Sequence, residues 1–258
     1  MNLQLTGHTA IVTGSHRGTG LVIARHLLRE GAVVLVHGFT ADQAQAAVAE
    51  LGAGIAVSGD ICTDAGAQKL IETCLEHHVD ILVNNYGTAD AGDWTKSDSS
   101  AWIDAYEKNV LSAQRLIRGL LPAMTAGGWG RILNLGTIGS TRPNAIMPHY
   151  YAAKGALAAM TVSLAREVAG TDIRVNLVSP GLILTPEVEA AHLERGRRKG
   201  WGTTWLEIEP RVAADIPIGR IVRREEVADL VAFLASPLAD AIHGQNVRID
   251  GGAVSIVS

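Results

Sequence analysis

Short runs rich in Val, Ile and Leu recur along the chain at residues 9–12, 33–36, 55–57, 81–83, 132–135, 173–178 and 247–249. Each is too short for a helix, and most are apolar at successive positions, so these predict strands buried on both sides. Between them lie longer stretches whose apolar residues repeat every three or four positions, at 21–29, 41–51, 67–77 and 101–121, which predict amphipathic helices. Strand and helix alternate from end to end. That is the pattern of right-handed βαβ units, and the expected fold class is α/β, a doubly wound parallel sheet with helices on both faces.

No change in composition, low-complexity linker or internal repeat divides the 258 residues, so one Rossmann-like domain spanning 1–258 is expected. The stretch around 182–215, with Trp201 and Trp205 set among glycines and charges, breaks the rhythm and is expected to be a substrate-loop insertion, since long irregular excursions inside compact folds are usually functional.

Composition removes several classes of function. A 47% hydrophobic content over this length supplies a core without staples, and two cysteines, Cys62 and Cys74, are too few for a disulfide framework. Reduced thiols and a cytoplasmic location are expected, as the first residues show neither a basic segment nor a long apolar run. The longest apolar candidate for a membrane span, around 152–165, contains Lys154, so no membrane association is expected. A net charge of -4 gives no general attraction to nucleic acid. RGRRK at 195–199 is a local basic exception, either a guide for an anionic substrate or, more commonly for such runs, a solvated helix face. Cys74, His77 and His78 share helical spacing but lack a fourth ligand, so no metal is expected.

The candidate chemistry begins after the first strand, where TGSHRGTG sets Gly14, Gly18 and Gly20 around Ser15, Arg17 and Thr19 and leads into a helix. Glycines allow a diphosphate to approach the backbone, and the free amides at the helix start stabilise its charge. The second strand ends in VLVHGFT. Gly38 and Phe39 therefore stand where an acid would accept hydrogen bonds from a ribose 2′-hydroxyl, while the Arg17 guanidinium is placed to pair with a 2′-phosphate. The expected cofactor is NADP, with NAD possible. On the alternative reading Arg17 faces solvent and Phe39 packs on adenine.

Further on, PHYYAAKGA places Tyr150 four residues and Tyr151 three residues before Lys154. Both spacings bring side chains together on a helix, and geometry alone leaves the two tyrosines equivalent.

TGSHRGTG, NNYG at 84–87, YYAAK at 150–154, SPG at 179–181 and the C-terminal IPIGRIVRREEVADLVAFLAS and HGQNVRIDGG together resemble the short-chain dehydrogenases/reductases over essentially the whole chain. The resemblance implies a catalytic pair of Tyr150 and Lys154, with Tyr151 as a packing or subunit-contact neighbour. It implies Thr137 as the hydroxyl thirteen positions before the tyrosine, in place of the usual serine, and Asn109 as the holder of a water linked to Lys154. Asp60 and Ile61 would meet the adenine edge, unless Asp60 only forms a turn. Asn84, Asn85 and Gly87 would shape the end of the fourth strand, where Tyr86 departs from the usual small residue. Pro180, Gly181, Ile183 and Thr185 would surround the nicotinamide. A phenol with a pKa of ~10 would be lowered by the lysine and by the nicotinamide charge, so that Tyr150 serves as general acid or base.

The implied function is hydride transfer between NADP(H) and a carbonyl or secondary alcohol. A 3-oxoacyl-(acyl-carrier-protein) reductase is the narrower alternative, which RGRRK would suit; Trp94, Tyr151, Trp201 and Trp205 would instead wall a site for a cyclic or apolar substrate. From another class, the alternative is a dinucleotide-binding sensor or scaffold without turnover. The resemblance also implies a homo-oligomer, dimer or tetramer, formed through helices around 101–121 and 151–168.

Overall fold

A computed structural model describes residues 2–256. Seven strands lie in one parallel sheet: β1 (Thr9–Val12), β2 (Val33–Gly38), β3 (Ile55–Ser58), β4 (Ile81–Asn84), β5 (Gly130–Leu135), β6 (Ile173–Pro180) and, last in the chain among the seven, the strand Asn246–Ile249. Their order is β3-β2-β1-β4-β5-β6 followed by Asn246–Ile249, and every neighbouring pair is parallel. The chain moves outward from β1 to β3, returns to the middle at β4 and builds outward the other way. The topological switch between β1 and β4 opens a crevice at the carboxyl ends of these two strands, the usual ligand position in such sheets.

The strand residues are apolar because both faces are covered. Ala10, Val12, Val34, Val36, Ile81 and Val83 belong to one buried cluster, and Ile11, Leu35, Leu82 and Ile132 to the other. The first layer is closed by α1 (Gly18–Arg29), by α2 (Ala41–Leu51) and, towards the C-terminus, by the helix Arg224–Ala235; the second is closed by α3 (Asp64–Glu76) and the helices that follow β4. Local signals set the helix ends. Thr40 and Gln43 form a reciprocal capping box at the start of α2, Gly52 ends it at φ 71°, and the Thr63 side chain accepts from the Gly66 N–H at the start of α3, each satisfying backbone groups a helix end leaves open.

After β4, the stretch read from sequence as one helix over 101–121 divides into α4 (Ser99–Tyr106), a π-turn at Glu107–Leu111 and α5 (Ser112–Gly127). The insertion falls on Asn109. Helix α6 (Pro148–Glu167) carries both tyrosines and Lys154. It starts with Pro148 in the first turn, directly after Met147 at φ 52°, a left-handed conformation that an ordinary side chain adopts only under constraint. The excursion around 182–215 contains the two-residue β7 (Ile183–Leu184), α7 (Pro186–Arg198) and α8 (Trp205–Val212); β7 pairs with β8 (Val222–Arg223), which leads into α9 (Arg224–Ala235), and the strand Asn246–Ile249 is β9. Among the described residues no helix is long and apolar enough to cross a membrane.

Candidate active site

A cleft of about 780 Å³ opens over the carboxyl ends of β1 and β4 and runs along α6 to the β7–α7 segment. It is within the size range of cofactor and ligand sites. Gly14, Arg17, Gly18, Thr19 and Gly20 line one end, with Asn85, Tyr86 and Gly87 above them; Thr137, Tyr150 and Lys154 stand in the middle; Pro180, Gly181, Ile183 and Thr185 close the far side. Residues separated by more than a hundred positions in sequence therefore share one wall.

The glycine turn is held from beneath. Its Ser15 side chain, fully buried, accepts a hydrogen bond from the His37 N–H at 2.8 Å, and the Gly14 N–H donates to Nδ1 of His37 at 3.0 Å. Nε2 of that ring lies 2.8 Å from the Gly59 carbonyl, which can only accept, so Nε2 carries the proton. Burial pushes the His37 imidazole down to about 4, keeping it neutral. His37 was not singled out in the sequence, although a histidine inside an otherwise apolar buried run was the available signal.

In the middle of the cleft, the Lys154 side chain is buried, and its Nζ donates to the Leu135 carbonyl at 2.8 Å. Burial lowers its ammonium to about 8. Tyr150 is pushed up to about 12, chiefly by burial and secondarily by Tyr151, while a hydrogen bond with the Thr137 hydroxyl works in the opposite direction. The sequence-based expectation of a phenol lowered by Lys154 thus meets a different balance: the protein's own groups keep Tyr150 protonated at neutral pH.

Gly87 sits where these groups converge. A β-carbon on it would come 2.5 Å from Asn109 Oδ1 and 2.9 Å from Lys154 Nζ. Asn109 is held by the π-turn so that its Nδ2 donates to the Thr88 and Ala105 carbonyls, both at 3.0 Å. Its Oδ1 is buried without a partner in the protein, a polar atom directed towards the gap beside Lys154.

Several expected cofactor contacts lie outside the cleft as it is lined. Gly38 packs under α2, where a β-carbon would meet the Ala44 N–H and Gln43 at 2.8 Å. The Phe39 ring packs on Tyr86 with centroids 4.8 Å apart. Asp60 accepts from the Cys62 N–H at 3.0 Å, the geometry of a turn, and Ile61 is in the core. Tyr86 reaches Cys62, its hydroxyl 3.7 Å from Sγ. Arg17 is exposed at the cleft mouth, with Nη1 3.6 Å from Glu187 of α7, and the Thr185 hydroxyl caps α7 by accepting from the Val188 N–H at 3.2 Å.

Of the four aromatics considered as substrate walls, Tyr151 lines the cleft and Trp94, Trp201 and Trp205 do not. Trp94 packs on Trp102 and is largely exposed. Trp201 lies under Arg195 and Lys199, which turns the 195–199 basic run onto the surface of α7. Arg142, Asn144 and Glu187, not anticipated from the sequence, do line the cleft.

The residues fit a nicotinamide dinucleotide. At Gly20 even a β-carbon would come within 2.5 Å of Asn85 Nδ2 and 2.7 Å of the Gly14 carbonyl, the close packing of helix and strand ends that a diphosphate-binding turn needs.

Switch-point cleft, glycine turn and tyrosine–lysine helix together define a dinucleotide-binding oxidoreductase. The chain belongs to the short-chain dehydrogenase/reductase family: the family model described as Enoyl-(Acyl carrier protein) reductase matches residues 14–254. The 3-oxoacyl-(acyl-carrier-protein) reductase of Pseudomonas aeruginosa is 34% identical over 259 residues, covering 97% of this chain and 98% of the relative. Among solved structures, L-sorbose reductase from Gluconobacter frateurii complexed with NADPH and L-sorbose has a TM-score of 0.91 at 32% identity and full coverage of both chains. A 7α-hydroxysteroid dehydrogenase complexed with NADH and 7-oxo glycochenodeoxycholic acid has a TM-score of 0.82 at 30% identity, covering 100% of this chain and 98% of that one. The chain is thereby an NAD(P)-dependent oxidoreductase of this family.

Proposed function

We propose that the protein reduces a carbonyl compound with NADPH, Tyr150 giving the proton. The observation that carries this reading is the convergence of Thr137, Tyr150 and Lys154 in the middle of the cleft that the glycine turn lines at one end; burial there raises the Tyr150 phenol, which has a proton to give at neutral pH. A nicotinamide dinucleotide held by the Gly14–Gly20 turn would supply the hydride. As the carbonyl carbon gains it, the carbonyl π pair moves to oxygen, and that oxygen takes the proton from Tyr150 Oη, leaving a secondary alcohol. Thr137, which lines the same part of the cleft as Tyr150, presents a hydroxyl to the same oxygen. Lys154 holds positive charge within the site as the phenolate forms, and Asn109 offers its unpartnered Oδ1 to the path by which the proton is restored. The turn from Gly14 to Gly20 binds the diphosphate, and Arg17 favours the 2′-phosphate.

The similar proteins act on an acyl-carrier-protein thioester, L-sorbose and a bile acid, so likeness alone spans several substrate classes. The carrier-protein reading draws nothing from the 195–199 run, which does not line the cleft. NADPH consumption with a panel of ketones, aldehydes, quinones and 3-oxoacyl thioesters tests the proposal. Turnover of a panel member supports a reductase. Tight NADPH binding with no turnover on any member would favour the sensor alternative.

A further inference from the structure

Resting on the carbonyl-reductase reading, we infer that the cleft is built for a carbonyl compound bearing a carboxylate, which Arg142 binds. Beyond Thr137 and Tyr150 the lining changes from the glycine turn to the segment between β5 and α6, where Gly139, Arg142, Asn144 and Tyr151 face the same space. The wall is an ordered structure. Ser140, Thr141 and Arg142 each donate a backbone N–H back to Thr137 or Ile138, at 2.9–3.0 Å, which holds the segment as a tight turn directly after Thr137.

Tyr151 is part of this wall. Its ring lies across Gly139, so closely that a β-carbon there would overlap it, and its centroid is 5.3 Å from that of Tyr150. Asn144 Nδ2 donates to the Tyr151 hydroxyl oxygen at 2.9 Å, and Asn144 is itself fixed by accepting from the Ile146 N–H at 3.0 Å. With its oxygen already accepting, the Tyr151 hydroxyl has its own proton to give to a ligand.

Arg142 supplies the charge. Among the described residues no carboxylate lies within 4.0 Å of it; its recorded side-chain hydrogen bond runs from Nη1 to the Ala253 carbonyl at 3.3 Å. The acid that does line the cleft, Glu187, faces Arg17 at the dinucleotide end. The substrate end therefore combines one cationic fork with neutral donors. A guanidinium matches the two oxygens of a carboxylate, and a single such cation balances a monoanion. An apolar ring would leave these donors without partners on binding.

The test uses the full chain with NADPH and matched pairs: 3-oxobutanoate, 4-oxopentanoate and 5-oxohexanoate, each against its methyl ester. The expected result is that, for at least one chain length, kcat/KM for the acid exceeds that for the ester by about tenfold or more. Arg142→Ala should bring that ratio close to one, with the loss in KM for the acid, and added salt should weaken the acid's KM in the unmodified protein. Tyr151→Phe should raise KM for the acid with smaller effect on kcat. The inference is overturned if acids and esters are reduced equally at every length, or if Arg142→Ala lowers both in parallel and leaves the ratio intact. Turnover confined to uncharged ketones or aldehydes would overturn it while sparing the carbonyl-reductase reading. NADPH consumption with no carbonyl compound of any kind would overturn both.

Discussion

Gly14 donates its backbone N–H to Nδ1 of His37 at 3.0 Å, across the gap between the glycine turn and β2. The other ring nitrogen donates to the Gly59 carbonyl at 2.8 Å, so one neutral imidazole ties the turn after β1 to the ends of β2 and β3. A second proton on that ring would break the first of these bonds.

Stability should follow this ring. The folded pKa of about 4 lies below the ordinary 6.5, so the folded state binds fewer protons. The contribution is complete above the unfolded value and is lost as pH falls from about 6.5 to 4, to a total of roughly 3 kcal/mol. His37→Leu should remove this acid-sensitive window. It should also cost roughly 2 to 4 kcal/mol at neutral pH by leaving Gly14 N–H and the Gly59 carbonyl unpaired. Urea unfolding of both proteins at several pH values measures this; parallel pH curves would exclude His37 as the sensitive group.

Arg17 should govern the choice of dinucleotide. It is exposed at the cleft mouth and loosely paired with Glu187 at 3.6 Å, an ion pair of little strength that a 2′-phosphate would displace. Arg17→Ala should weaken NADPH binding by about tenfold or more while changing NADH binding little. Titration of cofactor fluorescence decides, and equal losses for the two cofactors would remove Arg17 from this role.

Gly87 should tolerate no side chain. A β-carbon would press on Asn109 Oδ1 and Lys154 Nζ at 2.5 and 2.9 Å, both held by hydrogen bonds to backbone carbonyls. Gly87→Ala should lower kcat by at least about tenfold, the effect of displacing groups beside a reacting centre, with the fold retained by circular dichroism. Unchanged kcat would mean that the placement of these two groups is immaterial to turnover.

The pH profile should reflect the lysine before the tyrosine. Lys154 is lowered to about 8 and Tyr150 raised to about 12, so the charged lysine is lost while the phenol is still protonated. For reduction, kcat/KM for NADPH, which reports groups of the free enzyme, should fall above about pH 8. A profile level to pH ~10, where an ordinary lysine titrates, would contradict this.

Inner strands were legible because burial on both faces leaves short apolar runs such as 9–12, which matches β1, and helical spacing marked 41–51, which matches α2. The π-turn at Glu107–Leu111 was not, because one extra residue within a helix hardly disturbs an apolar repeat. The glycine turn was visible as a local motif, whereas spacing left Tyr150 and Tyr151 equivalent before Lys154 and only the family resemblance selected Tyr150; the structure sets all of them around one cleft. Tyr151 was read both as a packing or subunit-contact neighbour and as one of four aromatic walls; its place in the cleft lining depends on Gly139 and Asn144, contacts made through a loop with no periodicity. The Trp201 and Trp205 reading failed because Trp201, in the turn after α7, packs under Arg195 and Lys199, and Trp205, at the start of α8, does not line the cleft either.

Turnover of Tyr150→Phe beside Tyr151→Phe tests the central claim most directly, in an assay of NADPH consumption with a carbonyl substrate that the unmodified protein reduces. Tyr150→Phe should lose kcat by at least about a thousandfold, as for a proton donor at the reacting atom, with NADPH affinity retained, whereas Tyr151→Phe should keep most of its kcat. Equal loss in the two variants, or substantial turnover by Tyr150→Phe, would contradict it.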